Sequence, residues 1–124
     1  MSNFALDISK FAKKAGLSSD MAVVAVCSKV TSLVIAKTPV LSGRLRSNWY
    51  ASIDSYNLAT SETRTENEAI SQGIATAQKA SGHIFTLSNS LSYAYDIEFL
   101  GKSHTKAPEG MARVSMAEVA NSLK

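Results

Sequence analysis

Four residues near the middle of the chain combine positive charge with aromatic rings. They are Arg44, Arg46, Trp49 and Tyr50, within the stretch TPVLSGRLRSNWYASI at 38–53. Because arginines neutralise phosphates and aromatic rings stack on bases, this mixture is typical of a single-stranded nucleic-acid site. Two arginines are a small electrostatic footprint, however. Trp49 also alternates with polar neighbours, which favours a core anchor. The glycine lacks the spacing of a phosphate-binding P-loop.

The other residue types that can do chemistry are few and scattered. Cys27 lies in an apolar run, and His83 and His104 are far apart, so no paired metal-ligand spacing is present. Asp96 and Glu98 would point in different directions on a helix, which favours a solvated acidic turn over an acid/base pair. No local signature of a nucleophilic hydrolase occurs. These patterns favour a protein without a catalytic site, metal or cofactor.

The composition is that of one soluble globular domain covering residues 1–124. The apolar fraction is 45% and the charged fraction is 19%, which suffices for a core without disulfides. A single cysteine excludes an internal disulfide framework. The first residues lack the pattern of a secretory signal, and no apolar run reaches the length of a membrane span. We therefore expect a protein made in the cytoplasm, with no membrane partner.

The net charge of +3 is unevenly distributed. Residues 1–50 hold seven Lys/Arg against two Asp/Glu, residues 51–100 hold two against six, and residues 101–124 hold four against two. Such a split would let copies of the chain meet head to tail, with opposite charges facing. It would also suit a nucleic-acid binder with one basic face. Dispersed surface charge without a role is the third interpretation.

Two helices are predicted in the N-terminal third. Apolar residues recur at helical spacing over 4–15, and Gly16 suits the end of that helix. The run 21–37 is apolar on most sides and too long for one strand. It therefore predicts a central, buried helix, with Ser18 or Ser19 as its N-cap.

Two strands flank a third helix. Alternation predicts strands at 49–53 and 83–89, and the polar stretch 54–64 predicts an exposed loop. Thr65 and Glu68 have the spacing of a capping box, which begins a helix that ends near Gly82. Small residues form one narrow stripe on this helix, which would let it lie close to another element: Ala69, Ile70, Gly73, Ile74 and Ala77.

The C-terminal third is less regular. A short helix or irregular aromatic segment is expected within 89–100, followed by a loop over 101–110. Pro108 suits the first position of a last helix. On that helix Met111, Val114, Val119 and Leu123 would face inward, with a strand at 111–116 as the competing interpretation. The elements together predict an α+β fold. It consists of a small antiparallel sheet packed against two or three helices, with a long buried helix near the N-terminus.

Four blocks stand in a fixed order along the chain: T-P-V-x-x-G-R-L-R-x-x-W at 38–49, the strand at 85–89, Y-A-Y-x-I-E-F-x-G at 93–101 and A-P-E-G-M-A-R-V at 107–114. Together they resemble the HK97 gp10-like family of phage neck, tail-completion and minor tail proteins. Members often carry an acidic residue and a threonine where Leu41 and Ser42 stand here. The order and spacing carry the resemblance, since no single block is specific.

The resemblance implies a non-enzymatic structural protein of the virion of a long-tailed phage. Such a protein joins the capsid connector to the tail, or caps the tail, as a ring of about six copies. Its implied partners are other copies of the chain, the connector or adaptor, and the tail-tube or tail-terminator proteins. Contact with packaged DNA in the channel is a further implied possibility.

Eight residues are candidates for contacts between subunits: Arg44, Arg46, Tyr93, Tyr95, Glu98, Lys102, His104 and Lys106. If residues 44–46 follow a strand period, Leu45 points inward and both arginines face the same outer side, toward an acidic neighbour or the DNA channel. The alternative functions are a small nucleic-acid-binding regulator, a small hydrolase, and a tail terminator or other minor tail protein.

Overall fold

The computed structural model of the chain describes residues 2–40, 43–92, 94, 98 and 110–123. Within these residues, five helices accompany one two-stranded antiparallel sheet, which confirms the α+β class. In chain order the elements are α1 Ser2–Ala15, α2 Ser19–Lys37, α3 Arg44–Ser47, β1 Tyr50–Ile53, α4 Glu66–Ala77, β2 Phe85–Ser88 and α5 Ala112–Ser122.

The long helix α2 begins and ends where local chemistry requires. The Ser18 hydroxyl accepts a hydrogen bond from the Met21 amide at 3.2 Å, as a helix N-cap does. Thr38 leaves helical space with φ −72° and ψ 128°, because the following Pro39 excludes the helical conformation. Both predicted ends of α2 are confirmed. The helix packs against α1, α3, α4 and α5, which makes it the centre of the fold.

The length and composition of α2 would also allow it to cross a membrane, contrary to our expectation from the sequence. A core helix of a globular protein meets the same criteria, so this property alone is weak support for a membrane span. In this fold α2 contacts four other helices, and its residues Ala22, Val26, Val34 and Ile35 are buried.

Helix α4 crosses α2 closely. Its capping box is present as predicted, with the Thr65 hydroxyl and the Glu68 carboxylate each accepting the other residue's amide. Ala69, Gly73 and Ala77 are buried, while Ile74, which we had placed in the same stripe, is 38% exposed. The helix ends at Ala77 rather than near Gly82, because turns occupy the residues between.

The sheet is short, and one of its edges is closed by a side chain. Ala51 pairs with Leu87 in the antiparallel register. On the other side of β1, the Gln72 carboxamide accepts from the Ala51 amide and donates to the Ala51 carbonyl, both at 2.8 Å. Gln72 thus takes the place of a third strand along β1. The predicted strand at 83–89 is shorter than expected, since β2 begins at Phe85.

The C-terminal element is a helix, which excludes the alternative of a strand at 111–116. Met111, Val119 and Leu123 are buried as predicted, and Val114 is half-buried. The helix contributes to two apolar clusters, one around Trp49 and Val34 that includes Met111, and one around Val26 that includes Val119 and Leu123. The helix begins at Ala112, so the prediction that Pro108 is its first residue is wrong; Pro108 itself lies outside the described residues.

Candidate functional site

Arg46 acts within the fold, at the C-terminal end of α2. Its guanidinium donates from Nε to the Thr38 carbonyl at 2.6 Å and from Nη2 to the Ala36 carbonyl at 2.9 Å. Nη1 lies 3.3 Å from the carboxylate of Glu66 at the start of α4. Carbonyls at the end of a helix have no helical partner, so a cation there both satisfies them and opposes the helix dipole. Arg46 therefore joins α2, α3 and α4.

Thr38 and Trp49 form a second connection at the same junction. The Thr38 hydroxyl donates to the Val34 carbonyl at 2.6 Å and accepts the Trp49 indole N–H at 2.9 Å. Thr38 is fully buried and Trp49 is 6% exposed. A buried indole N–H needs an acceptor, and this hydroxyl supplies it. The prediction that Trp49 is a core anchor is confirmed.

Residues 44–47, which lie between Thr38 and Trp49, form the helical turn α3. The strand period predicted for residues 44–46 is therefore wrong. Gly43 adopts a left-handed φ of +79° and opens α3. Leu45 is 2% exposed, as predicted. Residues two apart on a helix point in clearly different directions, however, so Arg44 and Arg46 do not share one outer side. Arg44 lies 4.0 Å from the largely exposed Glu62, whereas Arg46 reaches back to α2.

Replacing Arg46 by alanine should lower the free energy of unfolding by about 1.5 kcal/mol, because two carbonyls lose a charged donor. The matched change Arg44→Ala should cost less than about 1 kcal/mol, since its partner Glu62 is exposed. Urea denaturation followed by circular dichroism measures both values. Equal effects of the two changes would contradict the structural role of Arg46.

The polar loop 54–64 is anchored by two residues that our sequence interpretation overlooked. Asn48 is fully buried, donates to the Ser61 carbonyl at 2.9 Å and accepts the Ser61 amide at 2.7 Å. Arg64 donates to the Trp49 carbonyl at 2.8 Å, and its guanidinium lies 3.8 Å from the centre of the Tyr50 ring. Neither role has a local signal, because each joins positions more than ten residues apart.

These contacts remove most of the base-stacking site suggested by the sequence. The Trp49 ring is buried, the Tyr50 ring is covered by Arg64, and Arg46 is bonded to α2. A stacking platform needs aromatic faces open to solvent. Of the four residues first considered, only Arg44 presents a substantial part of its side chain, 39%, to solvent.

Glu98 lies inside the fold, so the predicted solvated turn is wrong for this residue. Its carboxylate accepts the Met111, Ala112 and Arg113 amides at 2.8, 2.7 and 3.1 Å, and the Arg113 Nε at 2.9 Å. It is 7% exposed. Glu98 thus caps the N-terminus of α5 from thirteen residues away. Gly110, with φ +98°, is required beside it, because a Cβ there would lie 2.6 Å from the Glu98 carbonyl oxygen.

The pKa of Glu98 reflects this environment. Burial by itself raises the pKa of the carboxyl, but the amides of Ala112 and Met111 and then the Arg113 side chain outweigh burial, so the pKa is lowered. The carboxylate is therefore ionised at neutral pH with its hydrogen-bonding capacity used by its own chain. Its candidacy for contacts between copies remains a prediction, and we do not include it in the interface proposed below.

An open apolar groove of about 370 Å³ runs between α2, β2 and α5. Val23, Cys27 and Val30 line its α2 side, Phe85 and Leu87 its β2 side. A groove of this kind is the usual form of a site for an apolar ligand or peptide segment. The sequence did not indicate this groove, because the valines of α2 had been assigned to a buried helix.

Cys27 and His83 both line this groove, and the His83 Nδ1 lies 2.7 Å from the Asp54 carboxylate. A thiol, an imidazole and an orienting carboxylate are the components of a cysteine nucleophile. Burial raises the pKa of the Cys27 thiol, however, and no hydrogen bond joins its sulfur to His83. The thiol therefore stays protonated, and the three residues do not form that arrangement.

The remaining contact candidates Tyr93, Tyr95, Lys102, His104 and Lys106 lie outside the described residues, as does Asp96. Within the described ranges, no group of three His, Cys, Asp or Glu side chains is placed to hold a metal ion.

Comparisons with known proteins find no relative for this chain. No protein-family model matches it, and neither the curated proteins nor the solved structures include a significant match.

Proposed function

We propose that this chain is a structural protein of a long-tailed phage virion. In this proposal it is a neck or tail-completion protein that forms a ring at the head–tail junction and joins the connector to the tail. Its partners are other copies of itself, the connector or adaptor, and the tail-tube or terminator proteins. A tail terminator is the closest variant of the proposal, since it is also a ring protein at the head-proximal end of the tail.

The observation that carries the proposal is the set of bonds within the block at 38–49. Thr38, Arg46 and Trp49 belong to the block that resembles the phage family, and they contact one another or the same helix end. Gly43 and Leu45 provide the turn and the core contact between them. The residues that carry the resemblance therefore maintain the fold. This supports a shared scaffold, from which the structural role is inferred by analogy.

The distribution of charge supports the ring. Each interface of a ring joins two different patches of the subunit, so the two patches must be complementary. Residues 1–50 are strongly basic and residues 51–100 are strongly acidic. Opposite charges on the two halves favour head-to-tail contact over the pairing of identical faces.

The proposal is tested in the virus that encodes the chain. Mass spectrometry of purified virions should detect the protein, and antibodies against it should label the head–tail junction. A nonsense mutation in the gene should leave filled heads and separate tails, and plasmid-borne expression should restore joined particles. Absence of the protein from particles, together with normal joining in the mutant, would refute the proposal.

A further inference from the structure

Two large apolar side chains project from the polar loop that follows β1. Tyr56 is 76% exposed and Leu58 is 74% exposed, which makes them the two most exposed large apolar residues in the described part of the chain. Between them, the main-chain carbonyl of Asn57 accepts a hydrogen bond from the Ser88 hydroxyl of β2 at 2.8 Å. The loop therefore presents two exposed apolar side chains two residues apart, beside a turn in which the Asn57 Oδ1 accepts the Ala59 amide at 3.0 Å.

The loop and the apolar groove lie on opposite faces of the sheet. Leu87 lines the groove, whereas the next residue, Ser88, contacts the loop. Side chains of adjacent strand residues point to opposite faces, so the loop crosses the outer face and the groove lies on the inner face. Because of this placement, Tyr56 and Leu58 cannot fill the groove of their own molecule.

We propose that Tyr56 and Leu58 of one copy insert into the groove between α2, β2 and α5 of the next copy. The contact is head to tail, since it joins the outer face of one subunit to the inner face of another. This contact names the interface between neighbouring copies in the proposed ring. It rests on the proposed function only because the ring is the assembly in which the copies would meet. Two different patches meet at the interface, as a ring requires.

Charge complementarity favours a second copy as the occupant of the groove. Residues 55–68, which carry the projecting side chains, hold three Glu and one Arg, a net charge of −2; Asp54 is not counted with them because it contacts His83, which lines the groove. Residues 2–37, which form α1 and the α2 wall of the groove, hold five Lys and two Asp, a net charge of +3. Docking the acidic loop beside the basic helices is therefore favoured, whereas pairing of like faces is not.

The edge of β2 that faces away from β1 provides backbone groups for an added segment. The Asp54 amide donates to the Ile84 carbonyl at 2.8 Å, which sets the pairing so that the main-chain groups of Phe85 and Leu87 point away from β1. Among the described residues, neither of these two amides donates a hydrogen bond to another element. A strand added there would direct its alternate side chains to the inner face, where the groove lies.

The contact area predicts a weak pairwise interaction. An aromatic side chain buries about 150–250 Å², so Tyr56 and Leu58 together bury only a few hundred Å², well below the roughly 1,200 Å² of a stable interface. Two isolated copies should therefore associate only at high concentration. A closed ring or a surface that already holds one copy raises the effective concentration and makes the same contact sufficient.

Disulfide trapping tests the contact, because Cys27, the one cysteine of the chain, lines the groove. The variant Leu58→Cys should form disulfide-linked oligomers on mild oxidation at high protein concentration, with residues 27 and 58 joined in the peptide map. The matched variant Lys10→Cys, which places a thiol on the exposed face of α1, should not link to Cys27. Adding Cys27→Ala to Leu58→Cys should abolish the 27–58 linkage.

A second measurement needs no added cysteine and follows association directly. The double variant Tyr56→Ser, Leu58→Ser should keep the thermal stability of the parent, since both side chains are exposed, while losing concentration-dependent association in sedimentation. Linkage no greater than that of Lys10→Cys, or unchanged association of the double variant, would overturn the contact. If the protein is nevertheless found at the head–tail junction, the proposed function stands without it. If the contact forms but virions lack the protein, only the function fails.

Discussion

Replacing Glu98 by alanine should lower the free energy of unfolding by about 3 kcal/mol, because three main-chain amides at the start of α5 lose their acceptor. The Met111 amide is buried, and those of Ala112 and Arg113 are partly buried. The ion pair with Arg113 adds little, since that side chain is 55% exposed. Urea denaturation measures the loss. A change below about 0.5 kcal/mol, as at an ordinary surface position, would contradict the cap.

The same carboxylate predicts a loss of stability in acid. Because the folded-state pKa of Glu98 is lowered, its contribution to stability is present above the unfolded pKa and is lost as the pH falls through the lower folded value. Glu98→Gln keeps one acceptor oxygen and does not titrate, so it should weaken this dependence. Asp54 and Glu68 also have lowered pKa values, and they remain in both proteins. The difference between the two pH profiles therefore isolates Glu98.

Replacing Gly73 by alanine should lower the free energy of unfolding by about 2 kcal/mol, the cost of overpacking a closed interior. A Cβ at this position would lie 2.3 Å from Cγ2 of Thr31, across the contact between α4 and α2. Thr31 is fully buried, and its hydroxyl is bonded to the Cys27 carbonyl at 2.9 Å, so the methyl group has little room to move. Without this contact, alanine would stabilise a helix by about 1 kcal/mol.

A double variant separates the clash from other effects. Thr31→Ser removes the obstructing methyl group and retains the hydroxyl that bonds to Cys27. Alone it should cost about 1 kcal/mol, the value of one buried methylene. Combined with Gly73→Ala it should recover most of the loss, a coupling that denaturation of all four proteins measures. Additive losses would show that close approach of α2 and α4 does not determine the effect.

The structure confirms the predictions that depend on neighbouring residues. The Ser18 cap, the capping box at Thr65 and Glu68, and the end of α2 before Pro39 each involve residues within four positions of one another. Such signals act through the local backbone, so they are visible in the chain itself. The two strands β1 and β2 were also predicted correctly, because alternation is a pattern between neighbouring residues. Strand β2 is shorter than predicted.

The errors arose where distant residues compete with local pattern. Residues 44–46 alternate like a strand, yet they form a helical turn in which Arg46 reaches the carbonyls of Ala36 and Thr38. Glu98 was assigned to a solvated turn because its amide partners begin thirteen residues later. In both cases a charged side chain forms hydrogen bonds with the unpaired main-chain groups at the end of a helix, and that helix belongs to another part of the chain.

The sequence alone determined the fold class, the ends of its central helix and the basic-to-acidic division of its charge, since each depends on residue type and short spacing. Only the tertiary structure decided how the arginines of the block at 38–49 are used. It also decided that α2 leaves an apolar groove and that Tyr56 and Leu58 project on the opposite face of the sheet. These features depend on which surfaces the packed elements leave uncovered, and periodicity within one segment carries no information about that.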